Sequence, residues 1–237
     1  MKQVITLTTD FGERDGYVGA MKGVLARGGA TAVDIAHDLP RGDIVHAAWV
    51  VATACREFPP HTVHVVVVDP GVGGARRGVV AAAGTSLYVG PDNGVFAYLD
   101  VAWAREIRHG AEVSPTFHGR DVFAPAALVA AAEPADAIGP RVELAGRLPW
   151  GPRPARAGRI IHVDQFGNLI SDLPASEAGG AIELAGRRLP ILRTYEDVSP
   201  GELLAYIGSA RTVEIAVRDG RADLAIVAPR GTPVVPA

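Results

Sequence analysis

The sequence predicts an α/β protein: an N-terminal, mostly parallel sheet with helices on both faces, followed by a smaller, barrel-like antiparallel β domain. Three features carry this. Short β-branched runs alternate with helical patterns early in the chain, the order that builds strand–helix–strand crossovers. A Pro- and Gly-rich break, RLPWGPRPARAGR, interrupts everything at 147–159. Beyond it, apolar and polar residues alternate in short runs separated by Gly turns, as in strands with one buried face.

The first strand is expected over residues 3–9 (QVITLTT), a β-branched run that stops at Asp10. Residues 16–27 (GYVGAMKGVLAR) place Val18, Met21, Val24 and Leu25 on one helical stripe. A strand follows at 31–36 (TAVDIA). Residues 44–58 (IVHAAWVVATACREF) are apolar nearly all round and read as a buried helix, with Gly42-Asp43 as its N-cap and Pro59-Pro60 as its stop. Residues 63–68 (VHVVVV) read as a strand buried on both faces, and 78–83 and 86–89 as two more. FAPAALVAAA (123–132) is a further helical run. We expect domains at 1–146 and 159–237, with a linker at 147–158. In the second domain, GRIIHVDQFGNLI, AIELAGRRLPI, TVEIAVRDGRADLAIVA and TPVVP supply the strands.

With 237 residues and 48% hydrophobic side chains, a substantial core is available. The formal charge of −3 and the scattered arginines leave no basic face for nucleic acid. Cys55 sits in an apolar run and reads as a core thiol, compatible with a reducing compartment. No segment reaches the ~18 apolar residues of a membrane span, and MKQVITLTTDFG lacks a signal-peptide core, so the expectation is a cytoplasmic protein without a membrane partner.

In an open parallel sheet, ligands bind beyond the carboxyl ends of the strands. Asp10 follows the first strand, His37 and Asp38 the second, Asp69 the third, and Asp92-Asn93 another. Asp and Asn also form turns through their own side chains, which is the plainer reading of His37, Asp38 and Asp92. Asp69 heads DPGVGGARR, where a core strand delivers a carboxylate into a glycine turn followed by two arginines. SPTFHGRDVFAP (114–125) adds His118, Arg120 and Asp121 in a glycine-containing loop. In the second domain, Phe166 beside Gly167-Asn168 sets a flat ring next to an amide, which suits a heteroaromatic ligand and equally a hairpin corner.

Taken in order, TTDFG, YVGAMKG, VVVVDPGVGGARR, GPDNG, TFHGRDVFAP, VDQFGNL and IGSARTVEIA resemble the S-adenosyl-L-methionine (SAM) hydroxide adenosyltransferases, relatives of the SAM-dependent fluorinase and chlorinase. The resemblance implies an α/β N-terminal domain, a barrel-like C-terminal domain, and a homotrimer whose sites lie between one subunit's N-domain and a neighbour's C-domain. It makes Asp10, helped by Asp15 and Tyr17, the group that grips the ribose hydroxyls. Asp164 resembles the carboxylate that holds the methionine ammonium, and Ser209 a residue that holds the methionine carboxylate. Phe166 and Asn168 resemble adenine contacts, Tyr195 an aromatic that stacks on the base, and Glu214 and Val217 parts of the strand along its edge. Asp69, Arg76 and His118 resemble the three residues that position and activate a water for attack on the ribose C5′. The glycines of DPGVGG would let backbone approach the sugar.

The chemistry fits those residue types. SAM is a sulfonium that departs as neutral methionine, so no general acid is required; the protein must hold a water in line with the C5′–S bond and stabilise its hydroxide character. SAM is then the substrate, and neither cofactor nor metal is expected. Four alternatives stand beside this reading. GVGG as a phosphate cradle lacks a following Lys-Ser/Thr and a helix. A metallohydrolase built on Asp10, His37, Asp38, Asp69 and His118 lacks a paired-His motif. A SAM or adenosine sensor would use the pocket without turnover. A halogenase would put a halide where the water sits; there a carboxylate at 4 Å costs ~4 kcal/mol for an effective dielectric constant of 20, and the matching position in the halogenating relatives is a tyrosine.

Overall fold

The computed structural model describes residues 3–110 and 112–237, which fall into two compact units, Met1–Leu148 and Pro149–Ala237. In the first, strands β1 (Val4–Thr9), β2 (Thr31–Ala36), β3 (Val63–Val67), β4 (Gly78–Ala83), β5 (Ser86–Pro91), β6 (Val101–Glu106) and β7 (Arg141–Val142) form one sheet in the order β2-β1-β3-β5-β4-β6-β7. Pairing is parallel from β2 through β5 and antiparallel from β5 through β7. The parallel part is where helical crossovers separate the strands. The antiparallel part begins where Gly84 and Thr85 join β4 to β5 by a tight hairpin too short for a crossover.

Helix α1 (Tyr17–Arg27) and helix α3 (Ala124–Ala132) cover one face of the sheet, and helix α2 (Ile44–Ala54) the other. The strand β3 shows why its sequence is apolar throughout. Val63, Val65 and Val67 pack with Val18, Met21 and Leu25 of α1, while Val66, followed by Val68, packs with Ala47 and Val51 of α2. As expected, Asp43 caps α2, its Oδ1 accepting the His46 backbone N–H at 3.0 Å. The helix ends four residues before the expected Phe58: a 3₁₀ turn spans Cys55–Glu57, and Phe58 is extended because the residue before a proline is pushed out of the helical region. Burial pushes the Cys55 thiol up to about 12, so it is an inert core group.

The second unit is a closed barrel of β8 (Gly158–Val163), β9 (Leu169–Pro174), β10 (Ala181–Leu184), β11 (Arg187–Leu192), β12 (Leu203–Ile207), β13 (Thr212–Val217) and β14 (Pro233–Pro236), in the order β10-β11-β12-β13-β9-β8-β14. Its pairs are antiparallel except β11 with β12. That parallel pair requires a connection running back along the barrel, residues 193–202, which carries Tyr195 and is pinned by a reciprocal Thr194/Asp197 cap. The β10–β11 hairpin turns on Ala185 and Gly186, both with positive φ. The expected linker is not free along its length. Arg153 forms a two-pronged pair with Glu177 at 2.9 and 2.7 Å, which ties this segment to the turn after β9.

His64 lies in the middle of β3, fully buried. Its Nδ1 pairs with the Thr6 hydroxyl at 2.8 Å, its ring stacks on Tyr88 with centroids 4.9 Å apart, and burial pushes its pKa from 6.5 down to about 4. The unfolded chain therefore binds a proton between those values that the folded state refuses, and stability falls as pH drops through this window by about 3 kcal/mol. Denaturant titrations at pH 7 and pH 4 check this: His64→Gln should lose measurably less stability over the interval than the parent, and an equal loss would contradict it.

Candidate active site

The carboxyl ends of β1, β2 and β3 bring three loops together. Asp10, after β1, accepts the Gly42 backbone N–H at 2.7 Å through Oδ2. Gly42, with φ +71°, also lies against Pro70, the residue after Asp69. Gly12 donates its N–H to the His37 carbonyl at 2.8 Å. A Cβ at Gly42 would sit 3.5 Å from Pro70 Cβ, so Asp10 and the Asp69 turn are near neighbours across one glycine.

Asp69 and Arg76 close the turn on itself. Arg76 Nε donates to both carboxylate oxygens of Asp69 at 2.9 Å, and Nη2 donates to Oδ2. The Asp69 side chain is only 3% exposed. The same Nη2 meets His118 Nδ1 at 2.7 Å. Beneath both cationic and imidazole groups lies the fully buried Phe123 ring, 5.3 Å from the Arg76 guanidinium carbon and edge-on to His118. His118 immediately precedes a π-helical turn, Gly119–Phe123, that leads into α3; the extra residue per turn sets His118 and Asp121 at the mouth of the helix.

The protonation of His118 follows from its partner. A guanidinium has donors and no acceptor, so Nδ1 must accept and the neutral ring carries its proton on Nε2. Burial first, then the Arg76 charge, lower the His118 pKa below its ordinary value, with Asp69 opposing. His118 is thus a neutral imidazole with an Nε2–H donor.

Gly73 has φ +76°, and a Cβ there would fall 2.6 Å from the Pro115 carbonyl oxygen. At Gly73 the turn thereby packs directly on the loop that delivers His118. The second arginine of the motif serves elsewhere. Arg77 Nη2 pairs with Asp92 at 2.7 Å, while Asp92 accepts the backbone N–H groups of Ala145 and Gly146, so Asp92 is a structural anchor across the chain rather than a former of its own turn. His37 likewise pairs through Nδ1 with the Thr9 hydroxyl at 2.9 Å. Among the described residues no cluster of three or more His, Cys, Asp or Glu could hold a metal ion.

Beside these groups Phe11, Tyr17 and Phe117 meet edge-to-face with centroids 5.3–6.1 Å apart. With Ser114, Thr116 and Arg120 they line a hollow of about 320 Å³. Tyr17 is 49% exposed and Asp15 is exposed. Sequence reasoning had singled out Tyr17 but not Phe11 or Phe117. The signal was present, since both rings sit in the motifs TTDFG and TFHGRD beside the residues that were chosen.

In the barrel unit, Asp164 folds its own loop. Its Oδ1 accepts the backbone N–H groups of Phe166 and Asn168, both at 2.9 Å, and its Oδ2 accepts Asn168 Nδ2 at 2.9 Å. Asn168 Nδ2 also reaches Tyr195 Oη at 3.2 Å; Tyr195 pairs with Tyr206 at 2.8 Å, and Tyr206 donates to Glu214 Oε2 at 2.5 Å. Burial, more than the neighbouring Asp164 charge, raises the Glu214 pKa, and the Tyr206 hydrogen bond opposes it. Phe166 is 66% exposed. Ser209 is exposed on the turn between β12 and β13. Val217 ends β13, with its side chain packed inward in the barrel core.

A mostly parallel sheet with an Asp–Arg–His trio beyond its strand ends, followed in the chain by a closed barrel whose Asp164 loop carries an exposed aromatic, defines a two-domain α/β protein. Two family profiles match in succession, the SAM hydroxide adenosyltransferase N-terminal domain over residues 5–139 and the C-terminal domain over 158–235. The chain belongs to the SAM hydroxide adenosyltransferase family. It is similar to the (R)-S-adenosyl-L-methionine hydrolase of Thermus thermophilus, 41% identical over 95% of this chain and 96% of that one, and to that of Salinispora tropica, 44% identical over 95% and 94%. Among solved structures it is similar to an uncharacterized conserved protein from Thermotoga maritima, with TM-score 0.87, 31% identity and 98% of each chain covered.

Arg76 is the second cause of the low His118 pKa. Arg76→Gln should therefore move the His118 titration upward, as followed by NMR of the imidazole. An unmoved titration would show that the two groups are not coupled.

Proposed function

We propose that this protein hydrolyses SAM to adenosine and L-methionine by in-line attack of water on the ribose C5′. The observation that carries the reading is the Asp69–Arg76–His118 trio, held at the strand ends of a chain whose relatives are named SAM hydrolases.

Hydrolysis breaks the C5′–S bond, forms a C5′–O bond from water, and releases one proton. With Nδ1 of His118 occupied by Arg76 and Nε2 already protonated, the imidazole donates to an oxygen and does not remove its proton. Asp69 is then the acceptor for the water proton, since each of its oxygens keeps lone pairs beyond those used by Arg76. Arg76 and the His118 Nε2–H stabilise the developing hydroxide. The leaving group is a neutral thioether and needs no proton. Asp10 has one oxygen used by Gly42 and the other available to a ribose diol, which supports its expected role, with Asp15 and Tyr17 beside it. Phe166, Asn168 and Tyr195 would receive the adenine, Asp164 and Ser209 the methionine ends. No metal or cofactor enters this reaction.

The Arg76 charge offsets the repulsion that Asp69 alone would exert on a halide. Selection of water therefore rests on Asp69 as a proton acceptor, which a halide has no use for. The family resemblance further supports a homotrimer that combines the N-domain of one subunit with the C-domain of its neighbour, and a cytoplasmic location accords with there being no helix long and apolar enough to cross a membrane among the described residues. Sedimentation equilibrium should give three times the chain mass, and a fully active monomer would refute the shared site.

Incubation with SAM in H₂¹⁸O and chloride-free buffer should yield adenosine and methionine in equal amounts, with the label in the 5′-hydroxyl. Asp69→Asn and His118→Ala should slow turnover by about 100-fold or more while adenosine still binds. Methylthioadenosine as product, 5′-chloro-5′-deoxyadenosine as the major species in saturating chloride, or no turnover at all would each reject the assignment, the last in favour of a sensor.

A further inference from the structure

The polar chain of the barrel unit has a direction, and the direction fixes what it can recognise. A carboxylate only accepts hydrogen bonds, so Asn168 can turn only its NH₂ toward Asp164 Oδ2. The other Nδ2 proton goes to Tyr195 Oη. Both amide protons are used, and among the described residues no donor is paired with Asn168 Oδ1, although the residue is only 6% exposed. Asn168 Oδ1 is not one of the enclosed atoms that lack a partner, so it opens to the surface, where a ligand can supply the donor it does not find within the chain.

The far end of the chain is equally defined. Tyr195 Oη accepts from Asn168 and gives its own proton to Tyr206 Oη; Tyr206 in turn donates to Glu214. The Glu214 carboxylate occupies space that only glycine leaves, because a Cβ at Gly208 would lie 1.8 Å from Oε1. The rings of Tyr195 and Tyr206 pack together with centroids 5.2 Å apart. Tyr195 sits on the 193–202 crossover, which the Tyr206 hydroxyl on β12 holds from below.

We propose that Tyr206 and Glu214 are positioning residues for base recognition: through Tyr195 they hold Asn168 with its carbonyl toward the ligand, which selects a 6-amino purine and rejects a 6-oxo purine. The amino group donates to Oδ1, whereas the oxygen of a 6-oxo base meets it acceptor to acceptor. The inference rests on the adenosyl reading above, and it moves Glu214 from contact with the base to the far end of the chain that orients it.

The test compares adenosine and inosine as competitive inhibitors of SAM hydrolysis. The parent should prefer adenosine by about tenfold or more, the discrimination expected of one well-formed hydrogen bond against an unpaired one. Tyr206→Phe, which deletes one hydroxyl, should cut that preference at least about fivefold and raise KM for SAM with a smaller effect on kcat. Should that variant fail to fold, Glu214→Leu should show the same loss, and Glu214→Gln, which keeps a carbonyl for Tyr206, should restore most of the preference. A parent without preference, or variants that keep the parent's inosine discrimination and KM, would overturn the positioning role while leaving SAM hydrolysis intact. A parent that produces no adenosine from SAM would overturn the activity itself, and this inference with it.

Discussion

The two-sided grip of Arg76, on the Asp69 carboxylate and on His118 Nδ1, is the constraint on which the rest of the N-terminal unit's site depends. A nearly buried carboxylate without a partner would be costly, and a buried pair broken on one side costs about 3–5 kcal/mol. The local sequence is arranged so that the pair forms. β3 is apolar on both faces and carries Asp69 out of the core. Glycines turn the chain tightly enough for residue 76 to reach back to residue 69. Gly73 lets the turn press on Pro115, and so brings His118 to the second Nη2 proton of Arg76. One interaction thereby sets the turn's closure, the tautomer of the histidine and the division of labour proposed for the water.

The barrel unit follows the same logic with neutral groups. Asp164 saturates three donors of its own loop, and this leaves Asn168 with a single orientation. The parallel β11–β12 pair forces a crossover that places Tyr195 over Tyr206, and the hydroxyl chain ends on a carboxylate seated against Gly208. In both units a glycine lets another group sit where a side chain would otherwise stand, the Pro115 carbonyl at Gly73 and the Glu214 carboxylate at Gly208. The acceptors and donors offered outward are what remain after the internal pairs are made.

Much of this was legible in the residues. Strand–helix alternation and β-branched runs located β1, α1, β2 and β3 to within a residue or so, because the hydrophobic period is strong there. In the antiparallel half β4 and β5 were read at 78–83 and 86–89, but β6 and β7 were not, since β6 (VAWARE) ends in two charged residues and lies mostly half-buried, and β7 is only two residues long. The sequence motifs marked Asp69, Arg76 and His118 together, but not that Arg76 would take Nδ1 and so remove the histidine as the base; that depends on a distance across 42 positions. Val217 illustrates the opposite limit. Its place on the right strand was readable, yet the inward pleat that buries it depends on the barrel's register. Tyr206 escaped notice because a lone tyrosine in LLAYIG reads as a core residue until its hydroxyl is seen between Tyr195 and Glu214.

The central claim is that Asp69, Arg76 and His118 surround the attacking water. A high-resolution crystal structure of the slow Asp69→Asn variant with SAM bound tests it most directly. The account predicts an ordered water within hydrogen-bond reach of residue 69 and His118 Nε2, on the side of C5′ opposite the sulfur. SAM bound with its C5′ turned away from these residues, or with that position closed to water, would contradict it.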